Sequence, residues 1–390
     1  MIEGCTVNLP FDVKEVVDNL RFEQYPSAGR NEQSTANSLL AAAYYFVRPL
    51  LPVGVRKHLQ RMRLKGWDRI SFPRWPVDRT VDSLFELLMV LSLKSQKVES
   101  IPFIWFWPDG APSSAIMTHD VEMARGRDLC CKLMDIDDAY GIKSCFEVVP
   151  EQRYDVPQSF LNSITQHGFE LAVHDLNHDG RLFRNREYFK ERVVKINCYG
   201  HKWGVDGFRA AVLYRRQEWF SDLEFSYDMS VPNVAHLDPQ RGGCCTVMPY
   251  FVGNVLELPV TTTQDYTLFH ILQAYNIDLW KTQIELIMEK HGLLSFIVHP
   301  DYATTAPERK VYEALLSHLA ELRQDRGVWI ATPGEVNRWW RQRADMRIVE
   351  DCGGVRIEGK GSERARIAYA SAVGGRFAVT VERAVANRRV

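Results

Sequence analysis

The chain has 390 residues, long enough for one large domain with appendages or for two to three ordinary domains. Hydrophobic residues make up 46% and charged residues 25%, ordinary globular values that exclude a fibrous or disordered chain. A formal net charge of −1 leaves no overall field to attract nucleic acid or a polyanion, so no nucleic-acid partner is expected.

The first residues, MIEGCTVNLPFDVKEV, show neither the basic start nor the apolar core of a secretory leader. A cytoplasmic location is expected, peripheral to the inner face of the membrane at most. The eight cysteines agree with this, because Cys130–Cys131 and Cys244–Cys245 are sequence neighbours rather than a spaced framework. Most read as small core hydrophobes with reduced thiols.

Residues 1–112 read as an extension, mainly helical. A short strand-like start over residues 5–9 leads into a helix near residues 12–20, and Pro, Gly and Asn around 26–31 mark a loop. From Gln33 to Trp67 there is no Asp or Glu, while Arg48, Arg56, Lys57, Arg61, Arg63 and Lys65 accumulate. The apolar run at 39–47 is interrupted by Arg48, Pro49 and Pro52, and is far short of the roughly 20 residues a bilayer span needs. Val55, Leu59 and Met62 follow helical spacing with basic residues on much of the other face. Two readings stand: a helix packed by its apolar face on the domain behind it, the commoner fate, or peripheral contact with anionic lipid through residues 39–65. Residues 72–93 read as a Pro- and Trp-bearing loop followed by a helix with Asp78 or Thr80 as its N-cap. The aromatic run Phe103 to Trp107 leads into the first barrel strand.

From residue 113 short apolar strands alternate with helical segments, the pattern of βα units. Strands are expected at 115–119, 143–149, 169–173, 205–208, 225–228, 255–260, 293–298 and 328–331. Helices are expected at 123–139, 157–167, 185–201, 276–291 and 307–325. Seven or eight such units point to an α/β fold closed into a barrel, with 231–254 as a long irregular rim loop of the kind that builds a cleft. Residues 345–390 alternate apolar and polar around paired glycines and read as a small β unit. The organisation expected is therefore an extension over 1–112, a catalytic barrel over 113–344 and a β-rich unit over 345–390.

The chemistry gathers at SAIMTHDVE. In an extended chain residues i and i+2 share a face, so Asp120 and Glu122 point one way while His119 and Val121 point the other. One carboxylate can hold a metal and the other can take a proton. His174 and His178, four apart in HDLNHDG, put two imidazoles within reach of one ion. Together they form a two-His, one-carboxylate site with an open position, a set that suits zinc and accepts other divalent ions. Asp120, His174, Arg209, Asp228 and His299 each end or follow an expected strand, where barrels gather their active sites.

The segments THDVE, HDLNHDG, GFRAA, SYDMS and LLSFIVHPD, in this order over about residues 113–340, resemble the NodB-type polysaccharide deacetylases, carbohydrate esterase family 4. The resemblance implies a distorted (β/α) barrel, a divalent metal that is usually zinc, and hydrolysis of N-acetyl groups on a sugar. It implies Asp120 as base, Glu122, His174 and His178 as metal ligands, Arg209 orienting Asp120, His299 as acid and Asp228 orienting His299. The family's second, adjacent Asp is replaced here by Val121, with the carboxylate one position later as Glu122. The Pro and Tyr usual after the Arg are Ala211 and Val212, which alters the surface facing the substrate. The function so implied is deacetylation of an N-acetylated glycan or lipid-linked sugar in cell-surface or exopolysaccharide synthesis. The alternatives are a carbon–nitrogen hydrolase acting on a non-sugar amide or cyclic imide, and a catalytically silent sugar-binding subunit. His119 and Asp301 are set aside, the first by strand parity and the second as turn chemistry after Pro300.

Overall fold

A computed structural model describes residues 2–3, 6–26, 53–351 and 354–382; the apolar run at 39–47 lies outside them. The first strands, β1 (Ile2–Glu3) and β2 (Thr6–Val7), pair antiparallel. Helix Val13–Arg21 follows, capped by the Asp12 carboxylate, which accepts from the Glu15 amide at 2.9 Å. Helices Val53–Arg63 and Thr80–Gln96 lead to strand β3 (Ser100–Ile104). Asp78, expected as a cap, accepts from the Thr80 amide at 2.9 Å, although Arg79 is the cap residue by backbone position.

The barrel strands are β4 (Ser114–Val121), β5 (Cys145–Val148), β6 (Glu170–His174), β7 (Gly207–Arg209), β8 (Tyr227–Asp228), β9 (Tyr250–Val252), β10 (Val255–Glu257), β11 (Leu293–Ile297) and β12 (Trp329–Ile330). They form one nine-stranded sheet in the order β11-β4-β5-β6-β7-β8-β10-β9, with β12 also on β4. Every pair is parallel except the β9–β10 hairpin, which turns at Gly253. The expected distorted barrel is thus present as a curled sheet whose ends do not meet as a ladder. Threonine hydroxyls close the seam: Thr261 Oγ1 donates to the Leu293 carbonyl at 2.6 Å and Thr262 Oγ1 to the Ser295 carbonyl at 2.7 Å.

Strand β4 is buried along its whole length because both of its faces are covered. Ala115, Met117 and Val121 face outward into the core shared with helices Ala124–Ala139, Asp278–Met288 and Glu308–Arg326. Ile116 faces inward, where it packs with Cys145, Ala172, Tyr227, Leu256 and Leu293 over a floor of Trp107, Trp339 and Trp340. Two and four residues further along the same inward face stand Thr118 and Asp120. The barrel interior therefore passes from apolar at its floor to ionic at the C-terminal mouth.

The expected rim loop over 231–254 lines a recess through Pro232, Val234, Leu237 and Asp238, beside Leu213 and the seam threonines, and is packed elsewhere against the extension. Its chain is pinned under the extension, where Asn233 Nδ2 donates to the Asp78 carbonyl at 2.8 Å and the Asp82 carboxylate accepts from Thr246 Oγ1 at 2.7 Å and the Val247 amide at 3.0 Å. Glu23 forms a buried pair with Arg215 and also accepts from the Gly243 amide at 2.6 Å. Cys244 and Cys245 are fully buried there. The tail supplies hairpin β13 (Arg347–Asp351) and β14 (Gly354–Glu358), then β15 (Ile367–Val373) and β16 (Arg376–Val381). Strand β3 belongs to this end rather than to the barrel, because it pairs with β15 from Ser100↔Ser371 to Ile104↔Ile367.

Candidate active site

The mouth is built from strand ends. Asp120 is the penultimate residue of β4 and Glu122 follows the strand, while His174 closes β6 and Arg209 closes β7. His178 stands in the turn after β6 with a φ of 53°, a left-handed backbone that swings its ring back over His174, 4.8 Å away between centroids. Ligand atoms of Glu122, His174 and His178 all lie within 4.8 Å of one another, and so do those of Asp120, Glu122 and His299. The residues expected to hold a metal are brought together.

Whether they fit one is decided by their unused atoms. His174 Nδ1 lies 3.1 Å from the Arg209 carbonyl, which can only accept, so the proton sits on Nδ1 and the Nε2 lone pair is left free. His174 Nε2 is buried and makes no hydrogen bond among the described residues. His178 differs: Arg153 Nη2, which can only donate, lies 3.1 Å from its Nδ1, so the proton of the neutral ring sits on Nε2, 2.9 Å from Glu122 Oε1. Burial opposes charge on His178, but Glu122 outweighs it and raises the ring above its ordinary value. Burial pushes His174 down to about 4, which keeps its ring neutral, as a ligand must be. Burial opposes charge on Glu122 too, but His178 and His299 outweigh it and hold the carboxyl well below the usual range. The free Nε2 of His174 and the ionised Glu122 fit a divalent cation, and His178 completes the set once its Nε2 gives up its proton, the release that accompanies metal binding.

Asp120 is held by Arg209, whose Nη1 donates to Oδ1 at 2.6 Å and to Thr118 Oγ1 at 2.9 Å, while Nε donates to the Met229 carbonyl at 3.0 Å. Burial would raise Asp120, yet Arg209, His174 and His299 together lower it, so it stays ionised with Oδ2 3.6 Å from His174 Nε2. Glu147, opposite Asp120 in the β4–β5 register, lies 3.5 Å from the same guanidinium, and burial pushes it up to about 7.

His299 follows β11 with Nε2 3.4 Å from Glu122 Oε1. Its partner differs from the one expected. Asp265 binds it twice, Oδ1 at 2.6 Å from Nδ1 and Oδ2 accepting its amide at 2.7 Å. Asp228 is engaged elsewhere, accepting from the Ser230 amide at 3.0 Å and from Ser230 Oγ at 2.8 Å, and facing Glu257 in the β8–β10 register. Burial and the adjacent Asp228 push Glu257 well above the carboxylate range, so it holds a proton shared toward Asp228. Asp228 is thus committed to the barrel wall, and Asp265 takes the place beside His299. Burial opposes charge on His299, but Asp265 and Glu122 raise it well above the ordinary value, making it cationic at neutral pH.

Sequence reasoning missed Asp265, which lies in TTTQDY just past the seam and carries no periodic signal. His119 faces outward as strand parity requires, its ring bonded to Asp137 and to the Val298 carbonyl, both at 2.9 Å. After Arg209, Val212 has φ 61° and Leu213 φ 53°, a left-handed pair strained for a β-branched residue and placed at the mouth. On the other side the mouth is aromatic: the His299 ring is 5.3 Å from Tyr302, which is 4.9 Å from His270 and 6.1 Å from Tyr266.

No family model and no curated relative matches the chain. Among solved structures it is similar to a protein named as a polysaccharide deacetylase from Mycobacterium smegmatis, with 17% identity and a TM-score of 0.50 over 63% of this chain and 96% of that one. A second, named as a polysaccharide deacetylase from Pseudomonas aeruginosa PAO1, gives 13% identity and a TM-score of 0.48 over 60% and 93% of the two chains. PuuE allantoinase gives 12% identity and a TM-score of 0.47 over 60% and 92%. At such identities the likeness is one of architecture, and the chain has the distorted barrel fold of the polysaccharide deacetylases.

Proposed function

We propose that this chain is a metal-dependent hydrolase that removes N-acetyl groups from a carbohydrate, a glycan or lipid-linked sugar of cell-surface or exopolysaccharide synthesis. The observation that carries the reading is the convergence of Glu122 with the imidazole nitrogens of His174 and His178, flanked by an ionised Asp120 and a cationic His299. Zinc suits this donor set.

When bound, a divalent cation supplies Lewis acidity to the acyl carbonyl and to water. Glu122, His174 and His178 would hold it. Asp120, kept ionised by Arg209, accepts the proton of the attacking water. His299, kept charged by Asp265, gives its proton to the departing amine, without which an amide nitrogen is a poor leaving group. Acetate and a free amino sugar result. The test is acetate release from N-acetylated oligosaccharides by the zinc-loaded chain, abolished by a chelator and restored by metal. Release from cyclic imides alone, or glycan binding without turnover, would overturn the proposal in favour of the two alternatives.

A further inference from the structure

Helix Val53–Arg63 is amphipathic, and it faces the opposite way from a helix packed for stability. Val55, Leu59 and Met62 stand at i, i+4 and i+7, on one stripe of its surface. They are 43%, 37% and 61% exposed. The side toward the barrel is polar: Lys57 Nζ lies 3.1 and 3.2 Å from the two ring nitrogens of His270, and the Tyr266 hydroxyl donates to Gln60. The expectation that the apolar face packs inward is therefore reversed. Flanking the stripe, Arg63, Lys65 and Arg69 are exposed, and from residue 53 to 69 only Asp68 opposes six Lys and Arg. The helix also has a place relative to the chemistry. Its anchor His270 touches Tyr302, and Tyr302 borders His299, so the helix stands beside the active-site mouth with its apolar stripe turned outward.

We propose that this helix is an interfacial one that seats the mouth on an anionic phospholipid surface, so that the sugar reaching Asp120 and His299 is one carried at a membrane. The second half rests on the deacetylase reading, whereas the docking surface stands without it. Charge selects the occupant. A second copy of the chain would bring like cations together, and three apolar side chains fall far short of the roughly 1,200 Å² that a stable dimer buries. An anionic bilayer neutralises the cations and takes up the stripe in one step. Among the described residues no helix is long and apolar enough to cross a membrane.

The experiment is sedimentation of the full chain with vesicles of phosphatidylcholine, alone or mixed with phosphatidylglycerol, at low and high salt. The chain should pellet with the mixed vesicles, remain free with phosphatidylcholine alone, and detach as salt screens the contact. Each charge removed at Arg63 or Lys65 should weaken partition by roughly fivefold. Leu59→Asp with Met62→Asp, and separately Arg63→Glu with Lys65→Glu, should abolish pelleting while leaving turnover of a soluble activated acetate ester unchanged, which also certifies their folding. Failure of the wild type to pellet with mixed vesicles overturns the proposal. So does pelleting that survives both double variants, which would place the contact elsewhere, such as residues 27–52. A dimer that Met62→Asp splits would also overturn it, by assigning the stripe to a second copy. Vesicle binding reads no catalysis, so its failure and the failure of the deacetylase reading are separate results.

Discussion

Replacing Asp265 by Asn tests the assignment of acid and partner most directly. The carboxylate binds His299 through two contacts, 2.6 Å to the ring and 2.7 Å from the amide, and both residues are buried. Hydrogen bonds to charged groups contribute about 1.5–3 kcal/mol. At 1.36 kcal/mol per decade, loss of that support for the protonated ring costs roughly 10- to 150-fold in the step that uses it. Only proton delivery to the leaving amine uses it. Asp265→Asn should therefore lower kcat on an N-acetylated oligosaccharide by that factor, yet change hydrolysis of an activated acetate ester, which expels its leaving group unaided, by no more than about threefold. Metal content should not change, since Asp265 is outside both clusters of ligand atoms. Asp228→Asn is the control, because the contacts of Asp228 run to Ser230 and Glu257. Its losses, whatever their size, should be equal on the two substrates. Equal losses for Asp265→Asn, or a leaving-group-dependent loss in Asp228→Asn, would refute the reasoning.

His174→Ala and His178→Ala should each abolish stoichiometric metal binding in equilibrium dialysis while the barrel still folds, since both rings sit at the mouth rather than in the apolar core; a full equivalent retained by either would remove it from the ligand set. Asp120→Asn should keep the metal but cut turnover by about 10²- to 10⁴-fold, the usual contribution of a positioned base, and near-normal turnover would exclude it from that role. Asp82 gives a signed pH effect. Burial raises it from 3.8 to about 6, so the folded state holds its proton more tightly than the unfolded one. Its stabilising contribution is complete below about pH 4 and is lost as pH rises to about 6, a swing of up to about 3 kcal/mol. Denaturant titrations should show that component in the wild type and not in Asp82→Asn, and parallel pH curves would exclude it.

Elements with a strong period were legible. The strand expected at 115–119 is observed as Ser114–Val121, and the helix expected at 307–325 as Glu308–Arg326. Strand parity alone separated Asp120 and Glu122 from His119, because alternation of faces is a property of the extended chain and not of its neighbours. Asp265 was illegible for the opposite reason. It meets His299 from 34 residues away, across a seam that exists only when threonine hydroxyls bring the sheet ends together. SYDMS resembles a catalytic motif locally, yet the lone pairs of Asp228 are taken up by Ser230 and Glu257, which sequence order does not reveal. Helix Val53–Arg63 shows the limit of periodicity: the stripe of Val55, Leu59 and Met62 could be read, but not the direction in which it points.

The pairing of β3 with β15 joins residues 100–104 to residues 367–371, with the whole barrel lying between them in the chain. A contact of such sequence separation carries a large loop-closure cost unless the intervening chain is already compact, so this clasp belongs among the last contacts to form. Until then β3 and β15 each show an open hydrogen-bonding edge, the surface through which newly made chains aggregate. A chain cut before Ile367 would keep β4 through β12 and every proposed site residue, yet leave β3 exposed in this way for good. Trimming the tail to obtain a minimal enzyme therefore trades solubility for size, and the same edge is the natural place to graft a strand if the tail must be replaced.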